Sequence, residues 1–291
     1  MTQPVCAITG ANGFVGSAVS QHFEALGWRV IRLVRSPETL LGEATHFRLG
    51  DDVSPDTFAS VDLLVHAAYD FSLWSWDDIR RVNVRGSEKL FDAAKRAGVK
   101  RQIFISSLAA YEGCRSKYGL GKLTAEEAAR ARGGIIIRPG VIYSEKNGGL
   151  AAKISAVARR LPIVPMIGCG QYPLYMCHVE DLCGLIVLLA QADQPPLTPI
   201  AAAHPKPITL RALAESAQRD DKFHAILPIP WPLLFIALWS IEKLGMRPGF
   251  RSDSIISLVY GNPSVDPSVN WVHEQTTVFR CYPNRIFAAR Q

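Results

Sequence analysis

Three glycines between a strand-like run and a helical pattern constrain the fold of this chain more than any other feature. Residues 5–9 suit a buried β-strand, and the apolar positions after them recur at helical spacing until Gly27. Glycines in the turn between them let the backbone approach a phosphate, and the amides and dipole of the helix N-terminus favour an anion there. The turn therefore predicts a dinucleotide-binding site, although a GxxGxxG spacing also occurs in ordinary turns. We expect the dinucleotide to contact Gly10, Asn12, Gly13, Phe14, Val15 and Gly16.

Strand-like and helical patterns alternate along the first half of the chain. Apolar runs recur at 29–34, 46–49, 61–65, 102–105 and 134–137, and helical patterns occupy 77–97 and 117–131. Strands that alternate with helices require right-handed crossovers, so the pattern predicts an α/β fold with a doubly wound parallel sheet. Glycines and prolines interrupt the alternation after residue 140. We expect residues 1–140 and about 174–203 to form the nucleotide-binding domain, and about 141–173 and 204–291 a smaller, irregular C-terminal substrate lobe.

Arginine, rather than an acidic residue, follows the second predicted strand. An acidic residue at this point would bind the adenosine ribose of NAD, whereas an arginine accommodates the phosphate of NADP. Arg35, with Arg32 nearby, therefore favours NADP. NAD stays as the alternative, because Glu38 could serve a ribose and both arginines could be solvated residues at a strand end. Asp51 is expected to accept a hydrogen bond from the adenine amino group, although a loop cap would look the same.

A serine, a tyrosine and a lysine follow the strand-like run that ends at residue 105. Residues four apart share a helix face, so Lys122 can lie near the hydroxyl of Tyr118. A nearby positive charge lowers the pKa of a phenol from about 10, which makes it usable as a general acid or base. Ser107 could hold a substrate oxygen beside a nicotinamide. The arrangement predicts hydride transfer, and Gly119 and Gly121 in the same helix predict close approach by a cofactor or a strand.

Several motifs occur in order between Thr9 and Asp181. They are Thr9-Gly10-Ala11-Asn12-Gly13-Phe14-Val15-Gly16, His66-Ala67-Ala68, Asn83-Val84-Arg85-Gly86, Ser106-Ser107, Tyr118 with Lys122, Arg138-Pro139-Gly140 and His178-Val179-Glu180-Asp181. In this series the chain resembles the extended and atypical short-chain dehydrogenases/reductases, also called the NAD-dependent epimerase/dehydratase family. The resemblance implies a Rossmann domain in which Ser107, Tyr118 and Lys122 form the catalytic triad.

The same resemblance implies roles for other residues. Lys122 would also contact the nicotinamide ribose, Ala67 and Ala68 would line the cofactor path, and Pro139 and Val141 would flank the nicotinamide amide. Asn83 would be a structural or proton-relay residue, but from the residues alone it could equally be a helix-interior side chain bonded to backbone. We expect His66 to be structural.

The chain departs from the family pattern at two places. Tyr118 follows Ser107 by only eleven positions, where extended members have roughly two dozen, so the loop over the site is short. Leu108 and Ala109 stand where related dehydratases carry an acid pair. Dehydratase chemistry is therefore not expected.

Composition excludes some functions and leaves others open. The net charge of +6 is scattered, so nucleic acid is not an expected partner, and no cluster has metal-binding spacing. Six cysteines without a CxxC pair and an N-terminus without a signal pattern favour a cytoplasmic protein. Three prolines in the apolar stretch 225–241 argue against a transmembrane helix, so we expect a core or lid helix, with shallow membrane contact as the alternative. A monomer and a homodimer both fit.

Three functions are compatible with these features. The leading hypothesis is an NAD(P)-dependent oxidoreductase that acts on a small-molecule carbonyl or alcohol. The alternatives are a nucleotide-sugar epimerase with tightly bound NAD and a non-catalytic NAD(P)-binding sensor or scaffold. An aromatic loop around Tyr69, Phe71 and Trp74 either faces the substrate or is simply packed.

Overall fold

The computed structural model describes residues 3–39, 42–145, 149–196, 198–216, 225–246, 248–262, 265 and 279–282. The strands are β1 Val5–Thr9, β2 Arg29–Val34, β3 Ala44–His46, β4 Leu63–His66, β5 Arg101–Ile105, β6 Ile135–Pro139, β7 Val141–Tyr143, β8 Ile163–Ile167, β9 Pro173–Leu174, β10 Met176–His178, β11 Ile200–Ala202, β12 Ile208–Thr209 and β13 Ala225–Ile229. The α-helices are α1 Phe14–Ala25, α2 Trp76–Ile79, α3 Arg85–Arg96, α4 Lys117–Arg130, α5 Gly149–Arg160, α6 Val179–Gln191, α7 Leu210–Ser216, α8 Trp231–Lys243 and α9 Ser252–Val259.

Seven strands form one parallel sheet in the order β11-β6-β5-β4-β1-β2-β3. The order reverses direction at β1, so crossovers lead outward to both sides, as in a doubly wound Rossmann sheet. This confirms the predicted fold class, including the smaller C-terminal lobe.

Apolar side chains cover both faces of the sheet. Successive residues of β1 alternate between the two faces, with Ile8 on one and Ala7 on the other. Helices α1 and α6 close the first face, where Phe23 is fully buried, and α3 and α4 close the second, where Phe91 is fully buried. Burial of each of these phenylalanines stabilises the folded chain by about 1.5–3 kcal/mol.

Two predicted elements differ from the observed ones. The third strand covers Ala44–His46 rather than 46–49, because Phe47 and Leu49 enter the core from irregular backbone after the strand has ended. The predicted helix 77–97 is observed as α2 and α3 joined by a π-helical turn at Arg80–Val84. Such turns insert an extra residue and often occur at functional sites.

The smaller lobe contains three two-stranded pairs, β7 with β10, β8 with β13 and β9 with β12, around a separate apolar core. Glycine is required at Gly140, where the chain leaves β6 for this lobe, because a Cβ there would lie 2.1 Å from the carbonyl oxygen of Tyr175. The chain returns to the large sheet through α6 and β11. The domain boundaries in the sequence analysis stay predictions. None of the helices in the described part of the chain is long and apolar enough to cross a membrane.

Candidate active site

The residues that the sequence analysis selected lie at one edge of the large sheet. Parallel strands have their carboxyl ends at the same edge, which is where ligands bind in open α/β sheets. β1 ends before Gly10, β4 before Ala67, β5 before Ser106 and β6 at Pro139. The fold therefore brings the glycine turn, the alanine pair and the serine pair to a common edge.

Each glycine of the turn allows a close approach. Gly10 has a φ of +67°, and a Cβ there would lie 3.0 Å from Cα of Ala68. A Cβ at Gly16 would lie 2.2 Å from the carbonyl oxygen of Gly10, so α1 can begin this close to β1 only with glycine at that position. Gly13 precedes α1 without a side-chain cap, which leaves the first N–H groups of the helix available to an anion. These features fit the pyrophosphate of a dinucleotide.

A chain of hydrogen bonds connects β1, β4 and α3 behind this turn. Ser87 donates to the backbone carbonyl of Asn83 and so accepts from Nε2 of His66, at 2.8 Å. Nδ1 of His66 then accepts from Thr9 Oγ1 at 2.7 Å, and Thr9 in turn accepts from the two N–H groups that follow His66. Burial lowers the pKa of His66 to about 3, so the ring is neutral, and its bonds are those of a structural residue.

Asn83 connects the π-helical turn to the aromatic loop after β4. Its Oδ1 accepts from the N–H of Asp70 at 2.8 Å, and its Nδ2 donates to the Asp70 carbonyl at 3.1 Å. The side chain thus satisfies both backbone groups of one loop residue. Of the alternatives considered from the sequence, the geometry matches a structural side chain bonded to backbone, and the backbone belongs to the neighbouring loop.

Arg35 and Arg32 have different environments at the end of β2. Arg32 pairs with Glu24 at 2.7 Å, and its side chain is only 12% exposed. Arg35 is exposed and has no ion pair among the residues that the structure describes. Arg35 is therefore the arginine that can reach a ligand. Asp51 is also exposed, in the turn that follows β3.

Helix α4 needs glycine at two positions because neighbouring elements pack directly on it. A Cβ at Gly119 would lie 2.3 Å from the carbonyl oxygen of Ala109, in the loop after β5. A Cβ at Gly121 would lie 2.9 Å from Cγ2 of Ile79 in α2 and 3.1 Å from the hydroxyl of Tyr69 in the aromatic loop. The sequence predicted close approach by a cofactor or a strand, and the elements that approach α4 here are a loop at Gly119 and both α2 and the aromatic loop at Gly121.

The short loop still brings Ser107 and Tyr118 together. Burial raises the pKa of Tyr118, and its hydrogen bond with Ser107 acts in the opposite direction. The expectation that Lys122 lowers this pKa is wrong for the arrangement observed, in which burial dominates. The ring of Tyr118 packs against Tyr69 and Phe71, with centroids 5.2 and 5.7 Å away, so the aromatic loop forms one wall of the site.

Lys122 is buried in α4, four residues after Tyr118. Its Nζ donates to the carbonyl oxygen of Ile105 at 2.7 Å and lies over the rings of Tyr69 and Phe104. Burial lowers the pKa of Lys122 to about 7, and the carboxylate of Glu126 partly opposes this effect. Lys122 can therefore change its protonation state near neutral pH.

A buried ion pair that was not predicted from the sequence lies beside Lys122. Glu126 is fully buried, and its two oxygens accept from Nε and Nη2 of Arg138 at 2.8 and 2.6 Å. The hydroxyl of Ser106 also donates to Glu126. The spacing of four residues from Lys122 to Glu126 was a usable signal, but the pairing with β6 was not visible.

Two residues of the smaller lobe that were not predicted from the sequence also reach this site. The carboxylate of Asp253 accepts from the backbone N–H groups of Lys117 and Tyr118 at 2.8 and 3.0 Å. Arg251 donates to two carbonyl oxygens of the aromatic loop and lies over the ring of Trp74. Both residues are more than 130 positions from their partners, and no local pattern marks them.

The residues expected beside a nicotinamide lie where β6 gives way to β7. Pro139 is buried, and its carbonyl accepts from the N–H of Leu108 at 3.0 Å, next to Ser107. Val141 is half-buried and pairs with Met176 of β10. Both residues are thus near the edge that carries the serine pair.

Comparison with known proteins identifies relatives by sequence. The model of the NAD-dependent epimerase/dehydratase family matches residues 6–200. A ceramide reductase of Caulobacter vibrioides is 32% identical over 192 residues, which are 63% of this chain and 60% of that protein. A putative dihydroflavonol 4-reductase of Synechocystis sp. is 32% identical over 111 residues, which are 35% of this chain and 32% of that protein. The match therefore spans less than two thirds of either relative.

Solved structures share the fold at low sequence identity. MoeE5 in complex with UDP-glucuronic acid and NAD has a TM-score of 0.64 at 18% identity, over 87% of this chain and 96% of that one. ADP-L-glycero-D-manno-heptose-6-epimerase of Helicobacter pylori has a TM-score of 0.63 at 17% identity, over 88% and 94%.

Proposed function

The chain belongs to the NAD-dependent epimerase/dehydratase family, and from that premise we propose that it is an NAD(P)-dependent oxidoreductase that moves a hydride between nicotinamide and a carbonyl or alcohol carbon. The family match agrees with the resemblance noted in the sequence. The observation that carries the proposal is the contact of the half-buried Ser107 and Tyr118 at the carboxyl edge of the sheet, with the buried Lys122 four residues after Tyr118 on α4.

Three side chains, those of Tyr118, Ser107 and Lys122, have separate roles in the proposed reaction. When bound, NAD(P) supplies or accepts the hydride. Tyr118 donates a proton to the substrate oxygen during reduction and takes it back during oxidation. Ser107 holds the same oxygen through its hydroxyl, and Lys122 offers a cation to the ribose. The negative charge of Glu126 raises the pKa of Lys122, so a larger fraction of Lys122 carries its positive charge near neutral pH.

We assign a largely apolar ketone or alcohol as the substrate class. Tyr69 and Phe71 pack against Tyr118, so the wall beside the proposed reacting atoms is aromatic. The names of the two relatives, ceramide reductase and putative dihydroflavonol 4-reductase, describe reductases, which agrees with the reduction of a carbonyl group. A nucleotide sugar would instead require polar partners at this wall.

For the cofactor we propose NADP, held at its phosphate by Arg35. The exposure of Arg35 and the engagement of Arg32 with Glu24 support this choice. The test is calorimetric titration of NADPH and NADH into the wild type and Arg35→Ala. A loss of affinity confined to NADPH supports the assignment, whereas tighter NADH binding that is indifferent to Arg35 refutes it.

The catalytic assignment is tested with Tyr118→Phe and a panel of apolar ketones. We expect no NADPH consumption by Tyr118→Phe and an unchanged dissociation constant for NADPH. Tyr172→Phe, a matched change in the smaller lobe, should retain turnover. NADPH consumption by Tyr118→Phe at the wild-type rate would refute the catalytic assignment. A wild type that carries tightly bound NAD(H) and consumes none with any ketone would favour the epimerase alternative.

A further inference from the structure

Helix α8 of the smaller lobe is apolar on both sides. Its inner side, which includes Leu234, Phe235 and Leu238, packs against the core of the lobe. On its outer side Leu233 is 61% and Ile236 is 56% exposed. Surface helices usually carry polar residues on the side away from the core, so this arrangement needs an explanation other than folding.

The exposed residues form one continuous face. Leu233, Ile236, Ala237, Ser240 and Leu244 follow one another at helical spacing, and all are exposed. The helix is 13 residues long, so this face extends over about 20 Å at 1.5 Å per residue. We call this surface, residues 233–244 on the side away from the core, the outer face of α8.

The charges of α8 are distributed unevenly between its two sides. Glu242 is engaged on the inner side, where its oxygens accept from the N–H and the hydroxyl of Ser252 at 2.7 and 2.6 Å. Lys243 is exposed, and its ammonium lies 5.6 Å from the ring centre of the exposed Trp239. A cation and a tryptophan therefore flank the outer face of α8, and the only carboxylate of the helix lies on its other side.

We propose that the outer face of α8 binds the surface of a lipid bilayer that contains anionic lipids. A bilayer requires apolar side chains along one face of a helix that lies flat, with tryptophan and lysine at the headgroup level and positive charge toward anionic lipids. A protein partner would instead need polar groups to complement its own rim, and on this face only Ser240 and Lys243 provide them.

The bilayer contact would be connected to the candidate active site through short polar contacts. Glu242 binds the first residue of α9, Ser252, and the next residue, Asp253, holds the N–H of Tyr118. The docked helix is thus linked to the helix that carries the proposed proton donor. Membrane binding itself does not depend on the proposed reaction.

The test measures binding of the whole chain to vesicles by flotation. The vesicles are phosphatidylcholine alone or an equal mixture of phosphatidylcholine and phosphatidylglycerol. The wild type should float with the anionic vesicles, and Leu233→Glu/Ile236→Glu should lower its partition coefficient by about tenfold or more. Leu26→Glu, a similarly exposed leucine at the end of α1, is the matched control and should bind like the wild type.

A second variant tests the role of charge. Lys243→Ala should weaken binding to the anionic vesicles about fivefold, since one lysine near an anionic surface contributes about 1 kcal/mol. An unchanged far-UV circular dichroism spectrum and unchanged NADPH affinity show that each variant is folded. No vesicle binding by the wild type, or equal binding by the double variant, overturns the proposal. A dimer that the double variant dissociates, without any vesicle binding, also overturns it and assigns the face to a second copy.

Discussion

Replacing Glu126 by Gln should destabilise the protein by about 3 kcal/mol, because this carboxylate is the buried anion that holds α4 against the sheet. The side chain is fully buried and receives three hydrogen bonds, two from Arg138 and one from Ser106. Removing one partner of a buried ion pair costs about 3–5 kcal/mol. The side chain of Arg138 is 20% exposed, so part of its charge can reach water, which places the cost at the lower end of that range.

Urea denaturation measures this difference, and a thermal scan should show a melting temperature lower by about 6–12 °C for a chain of this size. Glu127→Gln is the matched control, because Glu127 is the exposed neighbour on α4, and its stability should stay within about 0.5 kcal/mol of wild type. A loss below about 1 kcal/mol in Glu126→Gln would refute the reasoning, because it would mean that the ion pair contributes no more than a surface pair.

Three further changes test other contacts. The pKa of Lys122 in the folded chain, about 7, lies below its ordinary value of 10.5, so the unfolded chain binds more protons between these two pH values. The free energy of unfolding of the wild type, relative to that of Lys122→Met, should therefore rise by more than about 1.4 kcal/mol from pH 7 to pH 10. If urea denaturation shows the same difference between the two proteins at both pH values, the lowered pKa is wrong. Asp253→Ala should lower kcat and cost about 1 kcal/mol of stability while leaving NADPH affinity intact, and equal effects in the exposed Asp193→Ala would argue against a specific role. Gly16→Ala should abolish dinucleotide binding, because its Cβ would lie 2.2 Å from a backbone oxygen, whereas Gly184→Ala has open space and should bind normally in calorimetry.

Several features were accessible from the sequence because neighbouring residues encode them. The glycine turn, the alternation of strands with helices and the Tyr118 to Lys122 spacing are all local patterns, and the family match agrees with the family that they indicated. The predicted third strand began too late in the chain, because Phe47 and Leu49 are buried in the core but lie after the end of β3. Periodicity reports burial, and burial is not always accompanied by strand geometry.

Local patterns in the sequence predicted the fold class, the glycine turn and the polar residues of the candidate site. The pairing of Glu126 with Arg138, the hydrogen bond of Asp253 with Tyr118 and the exposed apolar face of α8 are visible only in the folded chain. The structure also reversed the expected direction of the pKa shift of Tyr118, because the effect of burial outweighs that of its hydrogen bond with Ser107. Long-range contacts and desolvation depend on how distant segments close on one another, and no window of neighbouring residues contains that information.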